Sequence, residues 1–235
     1  MTLLLNRHGI VGAGAGTPYS QNQVESATGY LEGNTGTGYD QTPYLEFSCW
    51  INPVNFTGGK GFFGFGLDTR IHLTASGQFE FRIENLGNTR ILEMTTTGTL
   101  ATGSWQHVYF AYNYRAGTWE LKVDGSDISG TPTTGPLSSG SANIQFNKTF
   151  AVLAKFGGSG ILNGGIADFW LDNPPALQGY AAFHDGGAPK DLSALAASVN
   201  PAVYLGGSMV ASDWNSATNL GNQSLTLAAG SFTDV

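Results

Sequence analysis

The stretch that most constrains the fold runs from Gly103 to Gly125 and reads GSWQHVYFAYNYRAGTWELKVDG. Both halves alternate with a period of two. The first half places Val108, Phe110 and Tyr112 on one face, and the second half places Trp119, Leu121 and Val123 on one face. Because successive strand side chains point to opposite faces, this pattern predicts two strands with one apolar and one mixed face. Gly117 lies between the halves and adopts positive φ at little cost, so we predict an antiparallel hairpin with one solvent-facing side.

Further alternating or apolar segments surround this hairpin. Strands are predicted at 27–33, 44–52, 61–67, 70–73, 78–84, 90–96, 144–146, 149–156 and 164–172. In segment 78–84 the apolar residues are expected to face inward, and Glu80, Arg82 and Glu84 outward. Segment 130–140 is rich in Thr, Pro, Ser and Gly, which predicts a loop or an edge strand. One short helix is expected over 191–198, with Asp191 as its N-cap.

The composition supports one large β-domain. Only 11% of the 235 residues are charged, against roughly 25% in an average domain. The 34 glycines indicate many tight turns and little helix. The net charge of −7, with scattered basic residues, argues against nucleic acid, since phosphate binding needs clustered Lys and Arg. No apolar stretch is long enough to predict membrane insertion.

The hairpin resembles the signature hairpin of laminin-G-like domains, which belong to the concanavalin-A-like lectin/glucanase jelly rolls. The resemblance is carried by Trp105, His107, Val108, Tyr112, Leu121, Val123, Asp124 and Gly125. Segments 44–53 and 164–172 also resemble the first long strand and the closing strand of that family. The resemblance implies an all-β fold with two antiparallel sheets stacked as a jelly-roll sandwich. Because these residues are mostly fold-bearing, the resemblance implies little about function.

The chain beyond Pro175 resembles the tail segment of laminin-G-like proteins encoded by tailed bacteriophages. The matching residues are Phe183, Gly187, Pro189, Asp191, Leu192, Tyr204, Thr218, Asn219 and Gly221. We therefore predict an amino-terminal arm (1–25) and a jelly-roll domain (26–235) whose phage-type segment begins at about 176. The resemblance implies a non-enzymatic virion structural protein: a head decoration, a head fibre or a tail appendage. Its expected partners are other virion proteins and copies of itself, with a host-surface glycan as an open option.

The expected location is a virion made in the cytoplasm of a bacterial host. Cys49 is the single cysteine, so no internal disulfide is expected, which is typical of assembly in a reducing compartment. The run Thr2–Leu5 is too short for the apolar part of a signal peptide.

Two other functions remain open: a stand-alone carbohydrate-binding lectin module and a glycoside hydrolase. The glucanases of this superfamily carry E-x-D-x-E on one strand, and Glu80 and Glu84 are the nearest match. Arg82 stands where the middle aspartate is expected. A cation there would keep both glutamates ionised, whereas a general acid needs a raised pKa, so the hydrolase is disfavoured.

Candidate ligand residues fall into two groups. Sugar binding needs an exposed aromatic ring near polar side chains, and Trp50, Tyr109 and Tyr114 are the glycan candidates. Many laminin-G-like jelly rolls hold calcium on a rim, and the matching candidates are Asp68, Asp124 and Asp127. No other cofactor is expected, since the four histidines and the one cysteine form no zinc motif.

Leu3, Leu4 and Leu5 are the predicted assembly residues. Three consecutive leucines leave contiguous apolar surface if the arm is free, and burying each is worth about 1.5–3 kcal/mol. The glycines that follow raise the cost of ordering the arm, by roughly 1–2 kcal/mol per residue fixed. The alternatives are a loosely docked terminus and an arm that packs on a neighbouring subunit.

Deleting residues 2–16 tests this arm. If it packs on a neighbour, the truncated protein should stay folded by circular dichroism but run as a monomer and no longer join its assembly. Light scattering of the intact and truncated proteins measures this, and equal assembly of the two would contradict the prediction.

Overall fold

The computed structural model describes residues 24–26, 29–34, 42–65, 69–139, 142–146, 149–154, 160–185, 188–189, 192–206 and 211–234. The predicted assembly residues Leu3, Leu4 and Leu5 and the calcium candidate Asp68 lie outside these ranges. The first described strand begins at Val24, two residues before the predicted domain boundary.

Two eight-stranded sheets dominate the described residues. Sheet A contains β1 (Val24–Ser26), β3 (Tyr44–Pro53), β8 (Gln106–Asn113), β9 (Thr118–Val123), β10 (Ser126–Asp127), β13 (Gly164–Asp172), β16 (Val203–Leu205) and β18 (Phe232–Asp234). Sheet B contains β2 (Tyr30–Asn34), β4 (Lys60–Phe65), β5 (Thr69–Leu73), β6 (Gln78–Glu84), β7 (Arg90–Thr99), β11 (Gly130–Thr134), β12 (Thr149–Val152) and β17 (Leu225–Ala229). A separate two-stranded ribbon pairs β14 (His184–Asp185) with β15 (Ala188–Pro189).

The strand order confirms the predicted all-β, two-sheet antiparallel jelly-roll sandwich. Sheet A runs β10-β9-β8-β3-β13-β1-β18, with β16 also pairing with β13. Sheet B runs β11-β7-β6-β5-β4-β12-β2-β17. The described strand pairs are antiparallel, and neighbours such as β3 and β8 are distant in the chain. Non-consecutive neighbours of this kind are typical of jelly rolls.

The organising hairpin forms as predicted, and the residues predicted to share its apolar face pair with one another. Val108 pairs with Val123, Phe110 with Leu121 and Tyr112 with Trp119 across β8 and β9. The inward residues of β8 meet aromatic rings from the opposite sheet: the rings of Phe81 and Phe110 stack with centroids 4.4 Å apart. Aromatic burial of this kind supplies much of the apolar area that holds two sheets together.

In the described part of the chain, three short helices lie in the carboxy-terminal third: α1 (Tyr180–Phe183), α2 (Ser193–Val199) and α3 (Ala211–Asn215). The described residues of segment 174–199, called the strap below, contain α1 and α2 and pack on the outer face of sheet A. Its contacts form a second apolar cluster of Tyr109, Ala111, Trp170, Phe183, Leu192, Ala196 and Tyr204. Among the described residues, no helix is long and apolar enough to cross a membrane.

The strap overturns one prediction from the alternation. The mixed face of β8 was expected to be solvent-facing, but His107, Tyr109 and Ala111 are buried. The cause is tertiary: a covering layer from residues more than 60 positions further along the chain turns both faces of β8 into core.

Three local predictions also need correction. Glu84 was expected to face outward, but a register shift beside Ile83 leaves it buried, at 4% exposure. The expected strand at 144–146 is a single bridge between Ile144 and Asn85. Helix α2 begins at Ser193 with Leu192 at the N-cap position and no side-chain cap.

Replacing Leu121 with Ala tests the sandwich. Leu121 is buried between the sheets, so losing its methyl groups should lower the free energy of unfolding by roughly 2–5 kcal/mol. Urea denaturation followed by tryptophan fluorescence measures the change. The control is Leu86→Ala, because Leu86 is exposed and should cost well under 1 kcal/mol. Equal effects of the two changes would contradict this core assignment.

Candidate functional site

The three predicted glycan residues are buried, and the exposure on which that prediction depended is wrong. Trp50 is 2% exposed, Tyr109 is 0% exposed and Tyr114 is 5% exposed. Trp50 and Tyr109 lie beneath the strap. Tyr114 lies elsewhere, stacked near Tyr112 with ring centroids 6.2 Å apart. In the structure as it stands, none of the three offers an open ring face to a sugar.

Trp50 belongs to a layered aromatic cluster between sheet A and the strap. Its ring lies 5.1 Å from that of His107 and 6.2 Å from that of His184. The rings of His107 and His184 are 5.2 Å apart, and Tyr180 stacks on His184 at 5.1 Å. Strands β3 and β8 place Trp50 and His107 directly opposite each other, and the strap contributes Tyr180 and His184.

A buried carboxylate fastens the strap to the sheet. Glu46 accepts a hydrogen bond from the Tyr109 hydroxyl at 2.8 Å. It also accepts from the backbone N–H groups of Gln178 and Gly179, at 3.1 and 3.0 Å. Burial raises the pKa of Glu46, while these three donors act in the opposite direction. Sequence alternation placed Glu46 on the outer face but gave no sign of these partners.

The same cluster contains a serine–histidine pair, the arrangement used in nucleophilic catalysis. Ser48 Oγ and His107 Nε2 are 2.8 Å apart. Asp124 binds the backbone N–H of His107 at 2.8 Å, and within the described residues Nδ1 of the ring has no hydrogen-bond partner. A catalytic histidine is instead oriented by a group on that nitrogen. Since Ser48 and His107 are each about 1% exposed, a substrate has no route to the pair in this conformation.

The glutamates of β6 lie in ion pairs. Glu80 contacts Arg70 at 3.6 Å and His72 at 3.0 Å. Glu84 contacts Arg82 at 3.8 Å. The absence of glucanase activity stays a prediction.

The two calcium candidates inside the described ranges lie in different environments. Asp124 adopts positive φ and binds the His107 N–H, as described above. Asp127 forms an ion pair with Lys122. Among the described residues, no group of three His, Cys, Asp or Glu side chains is arranged to hold a metal ion. Calcium binding stays a prediction, and Asp68 is outside the described ranges.

A shallow groove opens on the lateral edge of the sandwich and brings together an aromatic ring and polar groups. Its volume is about 280 Å³, and it is lined by Trp119, Glu120, Leu121, Asp127, Ile128 and Ser129. We call it the lateral groove. Of the candidates named from the sequence, Asp127 is the one that lies in it. The sequence does not indicate Trp119 as a site residue because its parity predicts a core position, whereas the part of β9 that β10 does not cover leaves it half-buried.

The course of the backbone forms this groove. Strand β10 pairs with β9 through Ser126 and Asp127, and the Ile128 N–H then donates to the Leu121 carbonyl at 2.9 Å. Beyond that point the chain crosses to sheet B, where Gly130 pairs with Thr96. The crossing segment therefore diverges from β9 beside Trp119 and leaves the groove between them.

A second cavity, of about 360 Å³, lies beside residues 217–225 and lacks an aromatic lining residue. The Asn219 side chain in it already binds Tyr204, Gly221, Ala202 and Gln223. Because its amide is fully used within the chain, this cavity offers a ligand fewer polar groups than its composition suggests.

The stability of the protein at acidic pH tests whether His107 is buried in its neutral form. Burial, with a smaller effect of the nearby His184, lowers the pKa of His107 from 6.5 to about 3. The unfolded chain then takes up a proton on His107 between pH 6.5 and 3 while the folded chain does not, so stability falls as the pH falls through this window. Between pH 6.5 and 4.5 the loss should be roughly 2–3 kcal/mol.

Urea denaturation at pH 7.5, 5.5 and 4.5 measures this loss in the wild type and in His107→Gln. Glu46, whose pKa is raised, changes stability in the opposite direction, but it does so in both proteins. The variant should therefore lose roughly 2–3 kcal/mol less on acidification. Parallel pH profiles would contradict the neutral, buried state of His107.

Comparison with known proteins agrees with this architecture. Of the solved structures with a similar fold, a proposed carbohydrate-binding protein from Bacteroides ovatus ATCC 8483 superposes with a TM-score of 0.56 at 14% identity. The alignment covers 91% of this chain but 59% of that protein, so the chain spans about three fifths of its length. At this identity the likeness shows the fold alone.

Two further structures align less closely. A heptameric SAP-like pentraxin from Limulus polyphemus has a TM-score of 0.36 at 14% identity, covering 65% of this chain and 79% of its own. Botulinum neurotoxin type C has a TM-score of 0.40 at 12% identity, covering 77% of this chain and 43% of its own. Neither value is high enough to carry an argument.

No curated protein matches the chain. A laminin-G-type family model, described as the concanavalin A-like lectin/glucanases superfamily, matches residues 34–173. Because this match covers more than half of the 235 residues, the chain belongs to the concanavalin A-like lectin/glucanase superfamily.

Proposed function

We propose that this protein is a non-enzymatic glycan-binding module that serves as a structural component of a tailed-phage virion. The lateral groove carries the glycan-binding part of the proposal. Of the two cavities described above, it is the one whose lining includes an aromatic residue, Trp119, together with two acidic residues and a serine.

The chemistry of the groove suits a sugar. A pyranose ring offers an apolar C–H face that packs on an aromatic ring, and hydroxyl groups that donate to carboxylates. Trp119 and Ile128, both partly exposed, supply the apolar surface, while Glu120, Asp127 and Ser129 supply polar atoms. The Ser129 hydroxyl is fixed by a contact of 3.0 Å with the Thr97 hydroxyl. The carbohydrate-binding description of the Bacteroides protein supports the same class of ligand.

The absence of catalysis is part of the proposal. A retaining glucanase needs one carboxyl group of raised pKa and one free nucleophile. Here Glu80 contacts Arg70 and His72, and Glu84 is buried beside Arg82. The Ser48–His107 pair is sealed under the strap. No substrate therefore reaches a competent pair of groups in the described part of the molecule.

The virion context is supported by the phage-type segment. Phe183, Leu192 and Tyr204, which carry part of that resemblance, anchor the strap as buried side chains. The strap is thus built into the fold. A stand-alone lectin module would use the same groove. The virion hypothesis and the lectin hypothesis therefore differ in where the protein is found and not in how it binds a sugar. Detection of the chain in purified phage particles by mass spectrometry would distinguish them.

A glycan array tests the binding function. The wild type should retain particular glycans, and Trp119→Ala should weaken binding to the strongest of them by about tenfold, since an aromatic contact of this kind is worth about 1 kcal/mol or more. Trp119→Phe, which keeps a ring, should retain most of the affinity. A reducing-sugar assay on the same glycans should detect no release.

Trp105→Ala is the matched control. Trp105 is also half-buried, but its indole packs over Gly165 on sheet A, where an added Cβ would lie 2.8 Å from the ring. The control should bind as the wild type does. Loss of binding in Trp105→Ala but not in Trp119→Ala would place the site elsewhere, and sugar release by the wild type would overturn the non-enzymatic assignment.

A further inference from the structure

The ionisable groups that line the lateral groove are both acidic. Glu120 and Asp127 contribute carboxylates, and the other lining residues are uncharged. Asp127 is 81% exposed on its side chain and Glu120 is 41% exposed, so an incoming ligand meets them directly. We infer that the groove binds saccharides without carboxylate groups more tightly than uronic or sialic acids. This inference rests on the proposed glycan-binding function.

The nearest cation is already engaged by other groups. Lys122 Nζ lies 3.1 Å from Glu120 Oε1 and forms a second ion pair with Asp127. It also lies 5.6 Å from the centre of the Tyr180 ring, a cation–π distance. Hydrogen bonds to Asp127 and Glu120 raise the pKa of Lys122, so the ammonium stays charged at neutral pH.

The net charge of Glu120, Asp127 and Lys122 decides which sugars the groove prefers. Two carboxylates and one ammonium leave a net charge of −1 at the rim, and Lys122 is not among the residues that line the groove. An acidic sugar would bring a further negative charge against both carboxylates and would lose solvation without gaining a free cation. The overall charge of −7 acts in the same direction.

The expected discrimination is moderate because the carboxylates are well solvated. Charges a few ångströms apart near a protein surface interact weakly enough that we expect about a three- to tenfold difference in Kd between matched neutral and acidic sugars. Salt should reduce this difference in Kd, since exposed charges are screened.

A charge series on a constant skeleton tests the inference. The probes are tetrasaccharides of β-linked glucosamine, glucose and glucuronic acid, and the corresponding galactosamine, galactose and galacturonic acid compounds. We expect one of the two series to bind. Within that series, calorimetry at 50 mM salt should show that the amino sugar and the neutral sugar bind more tightly than the acidic sugar. Raising the salt to 500 mM should reduce the difference in affinity between the acidic sugar and the other two.

Two variants test whether the groove causes the difference in affinity between acidic and neutral sugars. Asp127→Asn removes one lining charge at an exposed position and should bring the acidic and neutral sugars within about twofold of each other. Glu80→Gln removes the same charge from the described chain outside the groove and should leave the ranking unchanged.

The outcomes separate the two claims. If neutral sugars bind and acidic sugars bind equally well or better, the selectivity inference is wrong while the binding function stands. If Glu80→Gln changes the ranking as much as Asp127→Asn does, net charge and not the groove is responsible, and the inference is again wrong. If none of the six probes binds, the proposed function fails, and the inference fails with it.

Discussion

The buried carboxylate of Glu46 determines what the outer face of sheet A can do. A charge placed on a sheet face and covered by apolar layers must be satisfied by donors, and three are present: the Tyr109 hydroxyl and the N–H groups of Gln178 and Gly179. If the strap moved away, Glu46 would lose two of these partners and the aromatic cluster would meet water. Because burial of apolar surface is favourable, the aromatic cluster holds the strap in place, and the three donors offset the cost of desolvating Glu46 beneath it, so the face becomes core.

That closure directs ligand binding away from this face. Aromatic residues that an open sheet would present to a sugar, such as Trp50 and Tyr109, serve here as the floor beneath the strap. The Ser48–His107 pair is isolated by the same layer and holds a neutral imidazole. On sheet B, the charged residues of β5 and β6 contact one another in ion pairs. Of the two cavities found in the described part of the chain, the groove at the lateral edge is the one whose lining combines an aromatic residue with acidic side chains.

The hairpin, the two-sheet architecture and the inward parity of β8 and β9 could be predicted because each depends on neighbours in sequence. Local alternation cannot report a covering layer that arrives from far along the chain: Glu46 and Gln178 are separated by 132 positions. The exposure of Trp50 and Tyr109 was predicted wrongly for that reason. Glu84 was misplaced because a register shift beside Ile83 is invisible to a strict period of two. Trp119 was overlooked because parity assigns it to the core, and parity does not distinguish an edge strand from a central one.

The charges at the lateral groove have a structural reason that precedes any ligand. Strand β10 and the free part of β9 form an edge of sheet A, and an uncovered edge invites pairing with another chain. Charged side chains at Glu120, Lys122 and Asp127 oppose such pairing, and Pro132 does the same on the β11 edge of sheet B. The charged side chains that protect this edge remain in contact with water. They also pair with one another, so the Lys122 ammonium is bound by Glu120 and Asp127 and is not available to a ligand. The arrangement that keeps the edge from aggregating therefore also leaves the adjacent groove acidic, and it is this residual charge that a saccharide would meet.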